Sequence, residues 1–128
     1  MKTLVVMPTY NEAQSLAITV EGLLREVGEV DVLVVDDDSQ DGTAAIADSL
    51  AMNNPRVSVL HRQAKQGLGP AYLDGFRHAF LNGYQIVVEM DADGSHQAHD
   101  LPKILLATKE ADLVIGSRWI PGGTVLNW

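Results

Sequence analysis

The sequence predicts a doubly wound α/β domain with a mostly parallel sheet, and three observations predict it. Short runs rich in Val, Ile and Leu alternate with amphipathic stretches at helical spacing, the order expected of βαβ units. Those runs are apolar on both faces, as parallel strands covered by helices must be. Acidic or polar clusters follow the first, second and fourth runs, which places them together on one edge of the sheet, where open α/β folds bind ligands.

In chain order, residues 3–7 (Thr-Leu-Val-Val-Met) form the first strand, ended by Pro8 because a missing N–H cannot extend a central ladder. The loop Pro8-Thr9-Tyr10-Asn11-Glu12 follows. Leu16, Val20, Leu23, Leu24 and Val27 recur at helical spacing, so 13–27 is a helix stopped by Gly28. Residues 31–35 are a second strand running into Asp36-Asp37-Asp38-Ser39-Gln40-Asp41-Gly42-Thr43. A helix over 43–53 turns Ile46, Ala47 and Leu50 inward and ends at Asn53-Asn54-Pro55. Val57-Ser58-Val59-Leu60 is a third strand, and Gly67-Leu68-Gly69-Pro70 opens a third helix with Tyr72, Phe76, Ala79 and Phe80 as its inner face and Asn82-Gly83 as its stop. The fourth strand, 85–90, delivers Asp91-Ala92-Asp93-Gly94; a helix at about 100–109, capped by Asp100, precedes a fifth strand at 112–116. The last nine residues, from Ile120 to Trp128, read as a loop and an apolar stub, so the architecture is expected to be truncated at the C-terminus.

Length and composition narrow the function. The 128 residues suffice for one domain, 1–128, and not for a second. A net charge of −8 argues against non-specific nucleic-acid binding and against a polybasic membrane patch. An acidic chain that binds an anionic nucleotide needs a divalent cation between them. The absence of cysteine excludes disulfides and thiolate metal sites and permits a cytosolic location. Apolar runs such as Val32-Leu33-Val34-Val35 fall far short of the ~20 residues that span a bilayer, and Lys2 followed by a short strand and Pro8 does not read as a signal peptide.

The Asp91-Ala92-Asp93 pair alone is weak, because a chain with eleven Asp should contain roughly one such spacing by chance. Context gives it weight: both acids leave the end of a buried strand, Gly94 permits close backbone approach, and two more acid-bearing loops share the edge. An EF-hand is excluded by His96 and Pro102 at the sixth and twelfth positions. A phosphatase built on Asp91 as nucleophile lacks the Ser/Thr, Lys and second acidic pair it would need downstream. In the first loop Tyr10 offers a ring and hydroxyl to a base or ribose and Glu12 offers an acceptor, while a turn with Asn11 capping the helix is the structural alternative. Three adjacent acids at Asp36, Asp37 and Asp38 need compensation; Asp37 suits a ribose or base donor, and Ser39 or Asp41 suits a helix cap. The glycines at 67 and 69 match neither a dinucleotide fingerprint nor a P-loop. His96 and His99 are loop histidines, for which solvation outweighs metal ligation. Arg62, Lys65 and Arg118 are the cations nearest the edge, Arg118 being best placed to meet a phosphate.

Together, Pro8-Thr9-Tyr10-Asn11-Glu12, the stretch from Val35 to Thr43, Gly67-Leu68-Gly69-Pro70-Ala71-Tyr72, Met90-Asp91-Ala92-Asp93 and Gly116-Ser117-Arg118-Trp119 resemble glycosyltransferase family 2, most of all its polyprenol-phosphate (dolichol-phosphate) mannosyltransferases. The resemblance implies a GT-A, Rossmann-like three-layer sandwich and transfer of mannose from GDP-mannose to a polyprenyl phosphate at the cytosolic face of a membrane. It implies that Pro8, Tyr10, Glu12, Val35 and Asp37 hold the nucleotide, with the Ala92 backbone close by. It also implies that Asp91 and Asp93 hold Mg²⁺ or Mn²⁺ and that Arg118 meets the donor. Many relatives carry Gln where this chain has Ser95, which can give a metal one oxygen directly or through water. Relatives continue with segments that bind acceptor phosphate and membrane, so this chain is expected to bind nucleotide and metal and to transfer sugar poorly. Other family members with a different nucleotide sugar or acceptor, and an inactive nucleotide-binding fragment, are the alternatives. A receiver-type phosphoacceptor domain would need acids after the first strand and a lysine after the fifth. A sugar nucleotidyltransferase would need a basic Gly-rich first loop.

Overall fold

The computed structural model describes residues 2–94 and 98–109. The strand expected at 112–116, together with Ser95, His96 and Arg118, lies outside them. Four strands, β1 (Thr3–Thr9), β2 (Val30–Asp36), β3 (Val57–His61) and β4 (Ile86–Glu89), alternate with helices α1 (Leu16–Glu26), α2 (Thr43–Asn53), α3 (Leu68–Leu81) and α4 (Leu101–Ala107); a short 3-10 turn at Ala98–Asp100 leads into α4. All three strand pairs are parallel and the order is β3-β2-β1-β4. The chain therefore winds outward from β1 to β3 and then returns through α3 to the other side of β1. That reversal creates a topological switch point between β1 and β4 on the carboxyl edge.

Strand β1 runs two residues beyond the expected end and carries Pro8 inside it, in register with Val35. The reason lies in the alternation of a strand's polar groups. The Thr9 carbonyl accepts from the Asp37 N–H at 2.9 Å, so Thr9 faces β2, whereas the Val6 carbonyl accepts from the Met90 N–H at 3.1 Å, so Val6, and with it Pro8, faces β4. The missing N–H of Pro8 therefore leaves the β1–β2 ladder intact. It removes the next bond to β4, and the β1–β4 register ends at Val6↔Glu89. The two strands part at the position where β4 releases the Asp91 loop.

The same alternation divides the core. Val5, Met7, Val32 and Val34 lie under Leu16, Val20 and Leu23 of α1, Ala47 of α2 and Leu101 of α4. Leu4, Val6, Leu33 and Val35 lie on the other face under Ala71 and Ala79 of α3. Each fully buried Val or Leu contributes about 1.5–3 kcal/mol. Arg56 closes the far edge: its guanidinium donates to the carbonyls of Val30 at 2.9 Å, Leu24 at 3.2 Å and Val27 at 2.5 Å, satisfying the end of α1.

The inner face of α3 holds the expected Ala79 and a half-buried Tyr72, but neither Phe76 nor Phe80. Ala71, Gly75 and Ala79 are buried, while Phe80 is 84% and Phe76 is 36% exposed. Small residues face the sheet because the helix axis approaches it closely: a Cβ at Gly75 would collide with the Val6 side chain. Phe76 and Phe80 are thereby turned outward. We expect Gly75→Ala to destabilise the fold by about 1–3 kcal/mol through overpacking. Gly22→Ala, at a position with nothing near its would-be Cβ, should be neutral or slightly stabilising. Urea denaturation of the two variants checks the contrast.

Candidate functional site

An open cleft of ≈ 400 Å³ lies on the carboxyl edge of the sheet, lined by Pro8, Thr9, Tyr10, Glu12, Asp37, Lys65, Gly67, Leu68, Ala71, Asp91, Ala92 and Asp93. It draws on the ends of β1, β2 and β4 and on the start of α3, as a switch-point site should.

The loop after β1 is held by the loop after β2. Asn11 takes a left-handed conformation with φ 55°, tolerated by its short polar side chain. Its N–H donates to Ser39 Oγ at 2.9 Å and its side-chain oxygen accepts from the Gln40 N–H at 2.9 Å. The Glu12 N–H donates to Thr43 Oγ1 at 2.9 Å, and the Ala13 N–H to Asp41 at 3.2 Å. Asn11 thus fastens two loops together and caps no helix. α1 begins later than expected, at Leu16, with no side-chain cap on Ser15. Of the two residues suggested as caps for α2, Asp41 accepts from the Thr43 N–H at 3.1 Å, whereas Ser39 turns back to Asp36.

The three consecutive acids have separate environments. Buried Asp36 accepts from Thr9 Oγ1 at 2.7 Å, Ser39 Oγ at 2.6 Å and the Ser39 N–H at 3.0 Å. Buried Asp37 accepts from Arg62 Nε at 2.9 Å and the Gly67 N–H at 3.0 Å, and shares the Gln66 N–H between its oxygens at 3.1 and 3.2 Å. Arg62 reaches on to Asp74 in α3. Asp38 is exposed, with φ 62°. Asp37 therefore lines the cleft with a carboxylate that already fixes the loop between β3 and α3.

Beyond the end of β4 the Ala92 carbonyl is held by two hydroxyls, that of Ser15 just before α1 at 2.9 Å and that of Thr19 within it at 3.2 Å. This places the Asp91 loop relative to the first loop. Tyr72 donates its hydroxyl to Asp91 at 3.3 Å. Burial first, then the charges of Asp91 and Glu89, push the Tyr72 hydroxyl above its ordinary range, so it remains a proton donor. Glu12 is also raised above the ordinary carboxylate value, by burial first and then by the charge of Asp93, with smaller contributions from Asp41 and Asp91 partly offset by a hydrogen bond from Ser15. Glu12, Asp91 and Asp93 thus form a repulsive acidic group. Lys65 lies opposite, its ammonium 4.0 Å from the centre of the Tyr10 ring.

Of the residues the sequence nominated, Pro8, Tyr10, Glu12, Asp37, Asp91, Ala92 and Asp93 meet at the cleft. Val35 does not line it: its side chain is wholly buried beneath α3, leaving only its backbone near the edge. Arg118 and Ser95 fall outside the described residues. Ser15, Thr19 and Tyr72 have no role in the sequence reading of the site, which names Lys65 only as a cation near the edge. A Ser and a Thr four apart on one face of α1 were the available signal for the first two. Among the described residues no three His, Asp or Glu side chains converge as a metal-holding group. Two carboxylates with room for ligand oxygens suit a hard cation shared with a phosphate, the usual manner of holding Mg²⁺.

The raised Glu12 carboxyl has a defined consequence for stability. The native state holds its proton to higher pH than the unfolded chain, so stability falls as pH rises from the ordinary carboxylate value through the folded one. Glu12→Gln should therefore be more stable than wild type at about pH 7, and the difference should vanish well below the ordinary carboxylate value. Urea midpoints of both proteins across that range measure it.

Residues 4–128 match the family model for glycosyl transferase family 2. The undecaprenyl-phosphate mannosyltransferase of Micrococcus luteus is 56% identical over 128 residues, which cover 100% of this chain and 53% of that protein. The polyprenol monophosphomannose synthase of Mycolicibacterium smegmatis is 53% identical over 129 residues, covering 99% of this chain and 49% of that protein. This chain therefore spans about half the length of these curated relatives. Among solved structures, the mannosyltransferase PcManGT from Pyrobaculum calidifontis in complex with GDP-Man and Mn²⁺ superposes with a TM-score of 0.67 at 29% identity, over 77% of this chain and 29% of that one. S. aureus TarS in complex with UDP gives 0.63 at 26% identity, over 73% of this chain and 28% of that one. The parallel α/β sheet is thus of the GT-A type, and the chain belongs to glycosyl transferase family 2.

Proposed function

We propose that this chain carries the donor-binding site of a metal-dependent, inverting mannosyltransferase that moves mannose from GDP-mannose to a polyprenyl (dolichyl) phosphate. The observation that carries the reading is the meeting of Tyr10, Glu12, Asp91 and Asp93 in one cleft at the switch point. Relatives named for undecaprenyl phosphate and polyprenol support the acceptor, and a neighbour bound to GDP-Man and Mn²⁺ supports the donor and the cation.

In this reading Tyr10 and Glu12 hold the nucleoside, the Ala92 backbone lies beside the diphosphate, and Asp91 and Asp93 hold Mg²⁺ or Mn²⁺ against it. Ser95 adds an oxygen to the cation and Arg118 meets the donor. Bound there, the cation supplies Lewis-acid stabilisation of the departing GDP. The chain's own contribution is fixed geometry: the hydroxyls of Ser15 and Thr19 hold the Ala92 carbonyl, and Tyr72 holds Asp91. A phosphate monoester has a second pKa of about 6 and reaches the anomeric carbon already charged, so no general base is required of the protein. A polyprenyl acceptor would bring the protein to the cytosolic face of a membrane as a peripheral enzyme; among the described residues no helix is long and apolar enough to cross one.

The UDP-bound neighbour favours a second reading, a family 2 transferase that takes a uridine nucleotide sugar. Calorimetry of GDP, UDP and GDP-mannose with and without Mn²⁺ separates the two. We expect GDP-mannose to bind only with the cation, and Asp91→Asn to weaken that binding by roughly 10-fold or more. Metal-independent binding, or none, would sink the donor-site reading, and tighter binding of UDP than of GDP would replace it with the second.

A further inference from the structure

We infer that Lys65 is a specificity-determining residue that reads the nucleotide's base and favours guanine. The inference rests on the donor-site reading above and deepens it. Two neighbours of the same fold are bound to nucleotides with different bases, GDP-Man in one and UDP in the other, so the fold by itself does not set the base.

Sheet order fixes which end of the cleft meets the base. β3 and β4 flank the central strands on opposite sides, so the loop after β3, which carries Lys65, and the loop after β4, which carries Asp91 and Asp93, reach the cleft from opposite ends with Tyr10 between them. A nucleoside diphosphate whose phosphates lie by Asp91 and Asp93 extends its base toward Tyr10 and Lys65.

Lys65 is held there by its backbone as well as by its contact with the ring. The Arg62 N–H donates to the Asp36 carbonyl at 2.8 Å on one side of it, and the Gln66 and Gly67 N–H groups donate to Asp37 on the other. The exposed side chain then lays its ammonium on the Tyr10 ring face, 4.0 Å from the centre. That face is the surface on which a base would stack, and a base arriving there moves the flexible ammonium out to its rim. An ammonium only donates hydrogen bonds. Guanine presents O6 and N7 side by side as acceptors, uracil presents single carbonyls flanking an N–H, and adenine sets an amino group beside N7.

Asp37 also lines the cleft, and Arg62, Gln66 and Gly67 already occupy its oxygens. Little acceptor capacity remains for the donors on a base's edge. Discrimination therefore falls to Lys65.

The test is calorimetric titration of GDP, UDP and ADP, each with Mn²⁺, into wild type, Lys65→Met and Lys65→Gln, with thermal melts to confirm folding of both variants. Wild type should rank GDP first. Either substitution should reduce GDP affinity by roughly 5- to 100-fold, the worth of a two-acceptor base contact, and leave ADP within about 2-fold. An equal loss for all three nucleotides would assign Lys65 to the phosphates and overturn the inference, as would an unchanged GDP preference in the folded variants. In either case the donor-site reading survives. Only a wild-type protein that binds no nucleotide at all removes both.

Discussion

The site depends on one missing hydrogen-bond donor. Pro8 lies within the central strand, where a proline is ordinarily excluded, and its lack of an N–H faces β4 alone. The β1–β2 ladder continues to Thr9↔Asp36, while the β1–β4 ladder stops at Val6↔Glu89. Had an N–H stood at position 8, the next rung would have drawn Met90 toward β1 and narrowed the crevice from which Asp91 and Asp93 emerge. The topological reversal decides that a crevice lies here, and the proline keeps its upper end open.

Much of the acidity that makes this chain look like a metal binder is spent on structure. Asp36 turns the chain after β2, Asp41 ties the first loop to α2, and Asp37 is paired with Arg62 and two backbone N–H groups. Asp36 and Asp37 have donors enough to keep a buried charge tolerable. Glu12 differs: burial first, and then the charge of Asp93, raise its carboxyl above the ordinary range. Charge density in the sequence is thus a poor guide to where a cation is wanted. A carboxyl whose proton is held by neighbouring charge is a better one.

The order of elements, the parallel sheet and the shared edge of the loops after β1, β2 and β4 were legible from the sequence because apolar runs and turn residues report them locally. Strand β1 extends past the expected end because the nitrogen of Pro8 faces β4 and not β2, which local sequence does not report. The inward face of α3 was misjudged for a related reason. Hydrophobicity nominated Phe76 and Phe80, but the distance between helix and sheet, set by Gly75 against Val6, selects small residues instead. Within the cleft, Tyr10, Glu12, Asp91 and Asp93 stood out as chemically unusual groups at strand ends. Ser15, Thr19 and Tyr72 did not, since hydroxyls on helices are ordinary until the fold shows an Ala92 carbonyl or an Asp91 carboxylate beside them.

Those hydroxyls bear on how tightly a site of this kind can be held. The Asp91 loop follows β4 beyond its last rung with β1, so the sheet no longer positions it. Ser15 and Thr19 replace the lost ladder by gripping the Ala92 carbonyl from α1, and Ser15 also bonds Glu12. One helix therefore sets the spacing between the first loop and the carboxylates. Preorganisation of this sort matters most where like charges must stay close together, because a mobile loop would relieve the repulsion by moving apart. The fold keeps Glu12 within range of the charges of Asp93 and Asp91, which oppose its ionisation.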